Sequence, residues 1–375
     1  MQKTKWGCLA LALLLAACTD APTNPYVAPA AGEAGLATRN VFLITLDGLR
    51  WQEVFTGADS LLVRDERYVE NPTDLVGRFW RPDPITRRQT LLPFFWNVIA
   101  KEGQLYGNRP RGSEVDVTNR HRFSYPGYNE ILVGYSDDDR IDSNDKRDNP
   151  NVTVLEFVNR QPGFAGRVAA FGSWDVFPYI INEARSGIPV NAGFRTASGD
   201  DLTERERFLN ELQPEIPGPW TNVRLDAFTH HYAFEYLKKY HPRLLYIAYG
   251  ETDDFAHGEH YDAYLTSAHR TDAFIEALWN WAQSNDDYRG ATTLLIATDH
   301  GRGSGDAWSG HGSDVEGSGA IWIAALGPDT PPRGEVASEG PYYQNQIAAT
   351  TAALLGLTYS AERPTGKVLG PVLGQ

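Results

Sequence analysis

The chain predicts an α/β fold: a mainly parallel central sheet with helices on both faces. Three observations predict it. Three near-continuous apolar runs, Asn40–Leu46, Leu244–Tyr249 and Thr292–Thr298, have the composition of strands buried on both sides. Segments with helical spacing of apolar residues separate such runs along the whole length, the pattern of strand–helix–strand units. Each of the three runs also leads into an acid, at Asp47, Asp253 and Asp299. The C-terminal edge of a parallel sheet is where such folds bind ligands.

Taken in order, Asn40–Leu46 is the first buried strand and stops at Asp47-Gly48. Residues 58–88 are polar, rich in Pro and Arg and aperiodic, and read as a long surface insertion. Residues 91–102 have helical spacing and end at Gly103; 104–109 form a short strand. His121 to Gly134 reads as a turn feeding a short helix through Pro126, a residue tolerated in a first turn. Residues 137–148 are charged but lack the alternation and bend glycine of a calcium loop, and read as solvated loop. Strands follow at 167–174, 244–249 and 319–326, and helices at 221–240, 261–282 and 344–355. There is no internal repeat and no second composition regime, so residues 36–375 read as a single catalytic domain with loop insertions.

The first residues carry a targeting pattern. Lys3 and Lys5 precede an apolar run from Cys8 to Leu15, then the small residues Ala16-Ala17. That run is shorter than the roughly 20 residues a spanning helix needs, so residues 1–17 read as a secretory signal. Leu15-Ala16-Ala17-Cys18 resembles the bacterial lipobox, which implies a lipid anchor on Cys18. Thr19, and not Asp, follows it, which points to the periplasmic face of the outer membrane or the cell surface. Residues 18–35, rich in Pro, Ala and Thr, read as a flexible tether. Both cysteines lie in this leader, so the mature chain has no disulfide available and stability must come from burial. A formal charge of −14, with no basic run, argues against a nucleic-acid surface. It does not forbid a small anionic substrate, because bound divalent ions dominate their local field.

Chemistry concentrates in the stretch Ala291–Gly312. Its strand ends in Asp299-His300, and a glycine-rich loop leads to His311. Carboxylate and imidazole together suit zinc or a similar divalent ion. Asp47 closes the first strand, and Asp253-x-x-x-His257 lets two side chains reach one ion across a turn. Parallel strands bring their C-terminal ends together, so these groups converge. Six such ligands exceed the four of one tetrahedral zinc and match two ions, an arrangement known for in-line phosphoryl transfer.

Phe42-Leu-Ile-Thr-Leu-Asp47-Gly, Asp253-x3-His257, Asp299-His300-Gly301 and His311-Gly312 resemble, in order and separation, the metal motifs of the alkaline phosphatase superfamily. The nucleotide pyrophosphatase/phosphodiesterase-like branch is the nearest match. Its members carry Thr or Ser, an aromatic residue and Pro at a helix start, and Ser124-Tyr125-Pro126 is similar. The resemblance implies an alkaline-phosphatase-like fold with two divalent metal ions, zinc or alternatively manganese. It implies that Asp47, Ser124, Asp299 and His300 hold one ion, and Asp253, His257 and His311 the other. It assigns Ser124 as nucleophile. An Asn about twenty residues further on holds a phosphate oxygen; Asn144, Asn149 and Asn151 are candidates, and Asn149 is the expected one.

Departures from the superfamily patterns narrow the expectation. The Arg of the sulfatase motif C/S-x-P-x-R is replaced by Tyr128, which argues against formylglycine chemistry. Ala248 stands where a third, magnesium site needs Glu, which argues for two ions only. The expected function is hydrolysis of a small phosphate ester, diester or monoester, through a phosphoseryl intermediate. Alternatives are a mutase-like phosphotransferase and a surface lipoprotein that only binds metal. Arg50, Arg122 and Arg302 lie beside the motifs and read either as anion clamps or as surface ion pairs. Trp51, Tyr125, Tyr128, Trp174 and Trp308 read as cleft lining or core.

Overall fold

A computed structural model describes residues 35–375 together with Met1. The expected signal and Cys18 lie outside the described residues, and the expected tether reaches them only at Gly35. The strands are β1 (Asn40–Leu46), β2 (Gln104–Tyr106), β3 (Val115–Asp116), β4 (Val168–Gly172), β5 (Val190–Ala192), β6 (Leu244–Tyr249), β7 (Thr292–Ala297), β8 (Ile323–Leu326), β9 (Gly334–Glu335) and β10 (Tyr342–Tyr343). Eight of them form one sheet in the order β5-β4-β6-β1-β7-β8-β2-β9, while β10 and β3 pair separately. Strands β5, β4, β6, β1 and β7 run parallel, and β8 is antiparallel to both its neighbours. The mainly parallel α/β architecture expected from the apolar runs is the one the chain adopts.

Alternate residues of β1 feed opposite cores. Phe42, Ile44 and Leu46 pack with helices Asp226–Tyr240 and Tyr261–Ser284. Val41 and Leu43 pack with helices Ser124–Val133, Val154–Asn159 and Gln346–Leu354. All seven residues of β1 are buried, as its near-continuous apolar sequence requires of a strand covered on both faces. Among the described residues no helix is long and apolar enough to cross a membrane.

Two local expectations need correction. Residues 58–88 are not a surface insertion. They hold helices Pro72–Phe79 and Pro84–Leu91, and Leu62, Val63, Tyr68, Val69, Leu75 and Phe79 are buried in the core. Each helix opens on a capping side chain, Asn71 or Asp83, followed by Pro. The continuous helix expected over 91–102 is broken instead. Pro93 disfavours helical backbone at the residue before it, and Leu92 sits at φ −125°, ψ 74°. The chain restarts as a π-helical turn, Phe95–Ile99, whose leading amides at Phe94 and Phe95 are capped by Asp272 at 2.8 and 3.0 Å.

Candidate active site

Register places the three acid-bearing strand ends side by side. Leu46 of β1 lies opposite Tyr249 of β6, and Thr45 lies opposite Ala297 of β7. Asp47 therefore emerges between the helix Glu251–His257, which begins directly after β6, and the Asp299-His300 turn after β7. On that short helix Asp253 and His257 are one turn apart and share a face.

The six expected ligands meet. His300 Nε2 lies 3.3 Å from Asp47 Oδ1, 3.5 Å from Asp299 Oδ2 and 3.7 Å from Asp253 Oδ1. His257 Nε2 lies 3.3 Å from Asp253 Oδ2 and 2.9 Å from His311 Nε2, and His311 Nε2 lies 3.6 Å from Asp253 Oδ1. Asp47, Asp299 and His300 form one chelating cluster; Asp253 and His311 form a second that also takes in His300 and, by these distances, His257. The imidazoles are oriented from behind. His300 Nδ1 is bonded to the Gly301 carbonyl at 3.0 Å and His311 Nδ1 to the Arg122 carbonyl at 3.2 Å. A proton on each Nδ1 leaves Nε2 as a bare lone pair facing the cluster.

The electrostatics are those of a cation site. Asp47 Oδ1 and Asp299 Oδ2 are buried without a hydrogen-bond partner. Burial and the neighbouring Asp253 push the Asp47 carboxyl up to about 7. Burial, Asp47 and Asp253 push Asp299 well above the usual carboxylate range. Burial opposes ionisation of Asp253 too, but Arg302, His257 and His311 outweigh it and hold that carboxyl well below its ordinary value. Burial lowers His300 to about 4 and His311 to about 3, so both are neutral at pH 7, the form that donates a lone pair. Two uncompensated carboxylate oxygens beside neutral imidazoles match the donor set of a divalent metal.

Ser124 is buried at the first turn of helix Ser124–Val133, with Oγ 3.5 Å from His300 Nε2. It shares a cleft of about 520 Å³ with Asp47, Asp253 and His257, whose wall includes Asn144, Lys146 and Trp174. The helix approaches closely because residue 127 is glycine: a Cβ there would lie 2.3 Å from the Asp299 carbonyl oxygen.

Asn149 does not take the position expected of it. It is fully buried; its Nδ2 donates to Asn129 Oδ1 and the Ile180 carbonyl, and its Oδ1 accepts the Asn151 amide. These bonds use the amide structurally. Asn144 lines the cleft instead, with Oδ1 accepting the Tyr125 amide at 2.9 Å, which leaves Nδ2 as the end open to a bound oxygen.

Several contacts around the site escape sequence reasoning. Tyr128 is fully buried and donates to Asp47 Oδ2 at 2.8 Å. Glu130 accepts from the amides of Thr118 and Asn119 and from both their side chains, fixing the loop that leads to Ser124. Arg122 holds a left-handed φ of 56°, unusual for its type, while its carbonyl supports His311. Arg302 is buried and ion-paired with Asp253, and Arg50 is buried against Glu53; neither is a surface pair. Of the aromatics, Trp174 lines the cleft, whereas Trp308 is core, edge-on to Tyr68, Tyr261 and Tyr264. A single sequence marks an acid or imidazole as a ligand, but gives no sign of which tyrosine or arginine will stand behind it.

No family model and no curated protein matches the sequence. Solved structures do match by shape. Alkaline phosphatase PafA aligns at 10% identity with a TM-score of 0.57, over 90% of this chain and 99% of its own. Phosphonate monoester hydrolase of Agrobacterium radiobacter aligns at 13% and 0.56, over 89% of this chain and 77% of its own. A 2-O GAG sulfatase aligns at 13% and 0.57, over 90% of this chain and 74% of its own. At these identities the likeness establishes the architecture: the chain has the alkaline-phosphatase-like α/β fold.

Proposed function

We propose that the protein is a metal-dependent hydrolase of phosphate esters that works through a covalent phosphoseryl intermediate on Ser124. One observation carries the reading. A buried serine hydroxyl at a helix start faces two adjoining carboxylate–imidazole clusters across an open cleft. Asp47, Asp299 and His300, with Ser124, would hold one divalent ion, and Asp253, His257 and His311 the other. When bound, such ions supply Lewis-acid charge that lowers the pKa of a ligated hydroxyl and neutralises phosphoryl oxygens.

The chain's own groups do the rest. Ser124 Oγ bonds to phosphorus as the bond to the leaving oxygen breaks, the serine proton passing to solvent and the leaving oxygen taking one up from it; water then cleaves the serine phosphate, giving one proton back to Ser124 Oγ and its hydroxyl to the released phosphate. The positive end of the helix favours the serine alkoxide. Asn144 Nδ2 donates to a non-bridging oxygen. Lys146, the one lysine or arginine among the described residues lining the cleft, is ion-paired with Asp175 at 2.6 Å and would have to leave that partner to meet a further anionic group. Tyr128 keeps Asp47 in place. The nucleotide pyrophosphatase/phosphodiesterase-like branch, zinc as the ion, and a lipid anchor on Cys18 belong to the same reading.

The test is direct. Protein stripped of metal and reloaded with zinc or manganese is assayed on p-nitrophenyl phosphate, bis-p-nitrophenyl phosphate and p-nitrophenyl sulfate. Turnover of a phosphate ester, lost by about a thousandfold in Ser124→Ala with two ions per chain retained, is expected. Retained turnover in that variant defeats the covalent route. Hydrolysis of the sulfate alone, with residue 124 found as formylglycine, replaces the reading with a sulfatase, for which Ser124-x-Pro126 is the favouring feature. Phosphate moved to a second alcohol instead of released indicates the mutase-like alternative. Labelling with radioactive palmitate, lost in Cys18→Ser, tests the anchor.

A further inference from the structure

The two ligand sets differ in a way that sets the order in which they fill. Arg302 Nη2 is bonded to Asp253 Oδ1 and also donates to the Asp253 carbonyl at 3.1 Å, while Nη1 donates to the Ser309 carbonyl. The guanidinium is wedged under Gly48, where a Cβ would stand 2.8 Å from its Nε and 3.0 Å from Asp253 Oδ1. Glycine at 48, with φ +58°, leaves room for it. One oxygen of the only carboxylate in the Asp253/His257/His311 set is thus already taken, and its charge is matched by a fixed cation. The other set has two carboxylates, Asp47 and Asp299, each with a buried oxygen left unpartnered. Its His300 side chain is 0% exposed, against 50% for His257.

We infer that Arg302 is a positioning residue that weakens the Asp253/His257/His311 set, so that the Asp47/Asp299/His300 set binds its ion first and more tightly and the second ion is the exchangeable one. Arg302 orients Asp253 so that Oδ2 faces His257, and its charge repels an arriving cation. The inference rests on the metal-dependent reading above, but its test needs no substrate.

Metal-free protein is titrated with zinc ion alone against a chromophoric chelator. Two steps are expected, separated by about a hundredfold in Kd. Asp47→Asn should remove the tighter step and His257→Ala the weaker. Arg302→Gln should tighten the weaker step about tenfold and leave the other within about threefold. Equal affinities in the wild type, or a gap unchanged in Arg302→Gln, overturn the inference. Should that variant fail to fold, loss of the weaker step in Asp47→Asn overturns it instead. Stepwise binding in a protein that hydrolyses no ester sustains the role of Arg302 and removes the catalytic reading; a protein that binds no zinc removes both.

Discussion

Tyr128 donates its hydroxyl to Asp47 Oδ2 at 2.8 Å, and both side chains are buried. The bond points Asp47 Oδ1, which lacks a hydrogen-bond partner, at His300 Nε2, 3.3 Å away. Tyr128→Phe leaves a carboxylate oxygen buried and unbonded, a cost of about 1–3 kcal/mol. Urea unfolding of the metal-free variant should show a loss of that size, and kcat/KM should fall about tenfold as Asp47 turns.

Asn144 and Asn149 separate by their readouts. Asn144→Ala should lower kcat/KM about 10- to 100-fold, because it removes one donor to the reacting group, and should cost only about 0.5–1.5 kcal/mol of stability through the lost bond to the Tyr125 amide. Asn149→Ala should cost about 1–3 kcal/mol of stability, through its buried bonds to Asn129 and Ile180, and leave kcat of the folded protein intact. The reverse pattern would return the phosphate-holding role to Asn149.

Gly127 sets how closely the nucleophile's helix approaches Asp299. Gly127→Ala puts a methyl 2.3 Å from the Asp299 carbonyl oxygen, so the helix must retreat. A displacement of that order costs about a hundredfold in kcat/KM. Gly77, in helix Pro72–Phe79, has open space around its own hypothetical Cβ and serves as control. Gly77→Ala should stabilise by about 0.5–1 kcal/mol and leave activity unchanged.

Metal should stabilise the fold more at pH 8 than at pH 5. Asp47 titrates near 7 in the metal-free fold, against 3.8 for an unperturbed Asp. A raised carboxyl favours the fold below pH 4 and loses that contribution as pH rises through 7. An ion needs Asp47 ionised, so proton competition falls over the same interval. His300 and His311 are already neutral above about pH 4 and add no competition between pH 5 and 8. Thermal unfolding with and without zinc should show a larger metal-induced rise in Tm at pH 8; an equal rise at both values would contradict the site's charge arrangement.

The sheet and the convergence of the candidate ligands are legible because their signals are local. A near-continuous apolar run marks a strand covered on both faces, and the acid just beyond it marks the edge; Asp47, Asp253 and Asp299 follow from that grammar, and His257, His300 and His311 from their nearness in sequence to those acids. Residues 58–88 read as an insertion because polar composition outweighs the cap-then-proline pairs Asn71-Pro72 and Asp83-Pro84. Helix Glu204–Glu215 carries its own local signal, the full capping box of Thr203 and Glu206. The antiparallel β8 carries no local mark, since direction is decided by pairing with β7 and β2. The expectation of Asn149 has no support from spacing, since Asn144 stands closer to twenty residues after Ser124, and spacing in any case does not tell a buried amide from one at a rim. Tyr128, Glu130 and Arg302 act through neighbours distant in sequence, and only the folded chain reveals those.

The position of β1 bears on how the chain is made. Residues 40–46 pair on one side with 244–249 and on the other with 292–297. During synthesis this largely apolar strand is made well before its partners and waits unpaired until most of the polypeptide has followed. Both edges of a strongly hydrophobic segment stay open for that interval, a condition that invites aggregation and recruits chaperones. Because Asp47 and Asp299 come together only when β1 slots between its late-arriving partners, an ion bound at these groups would double as a report that the sheet has closed.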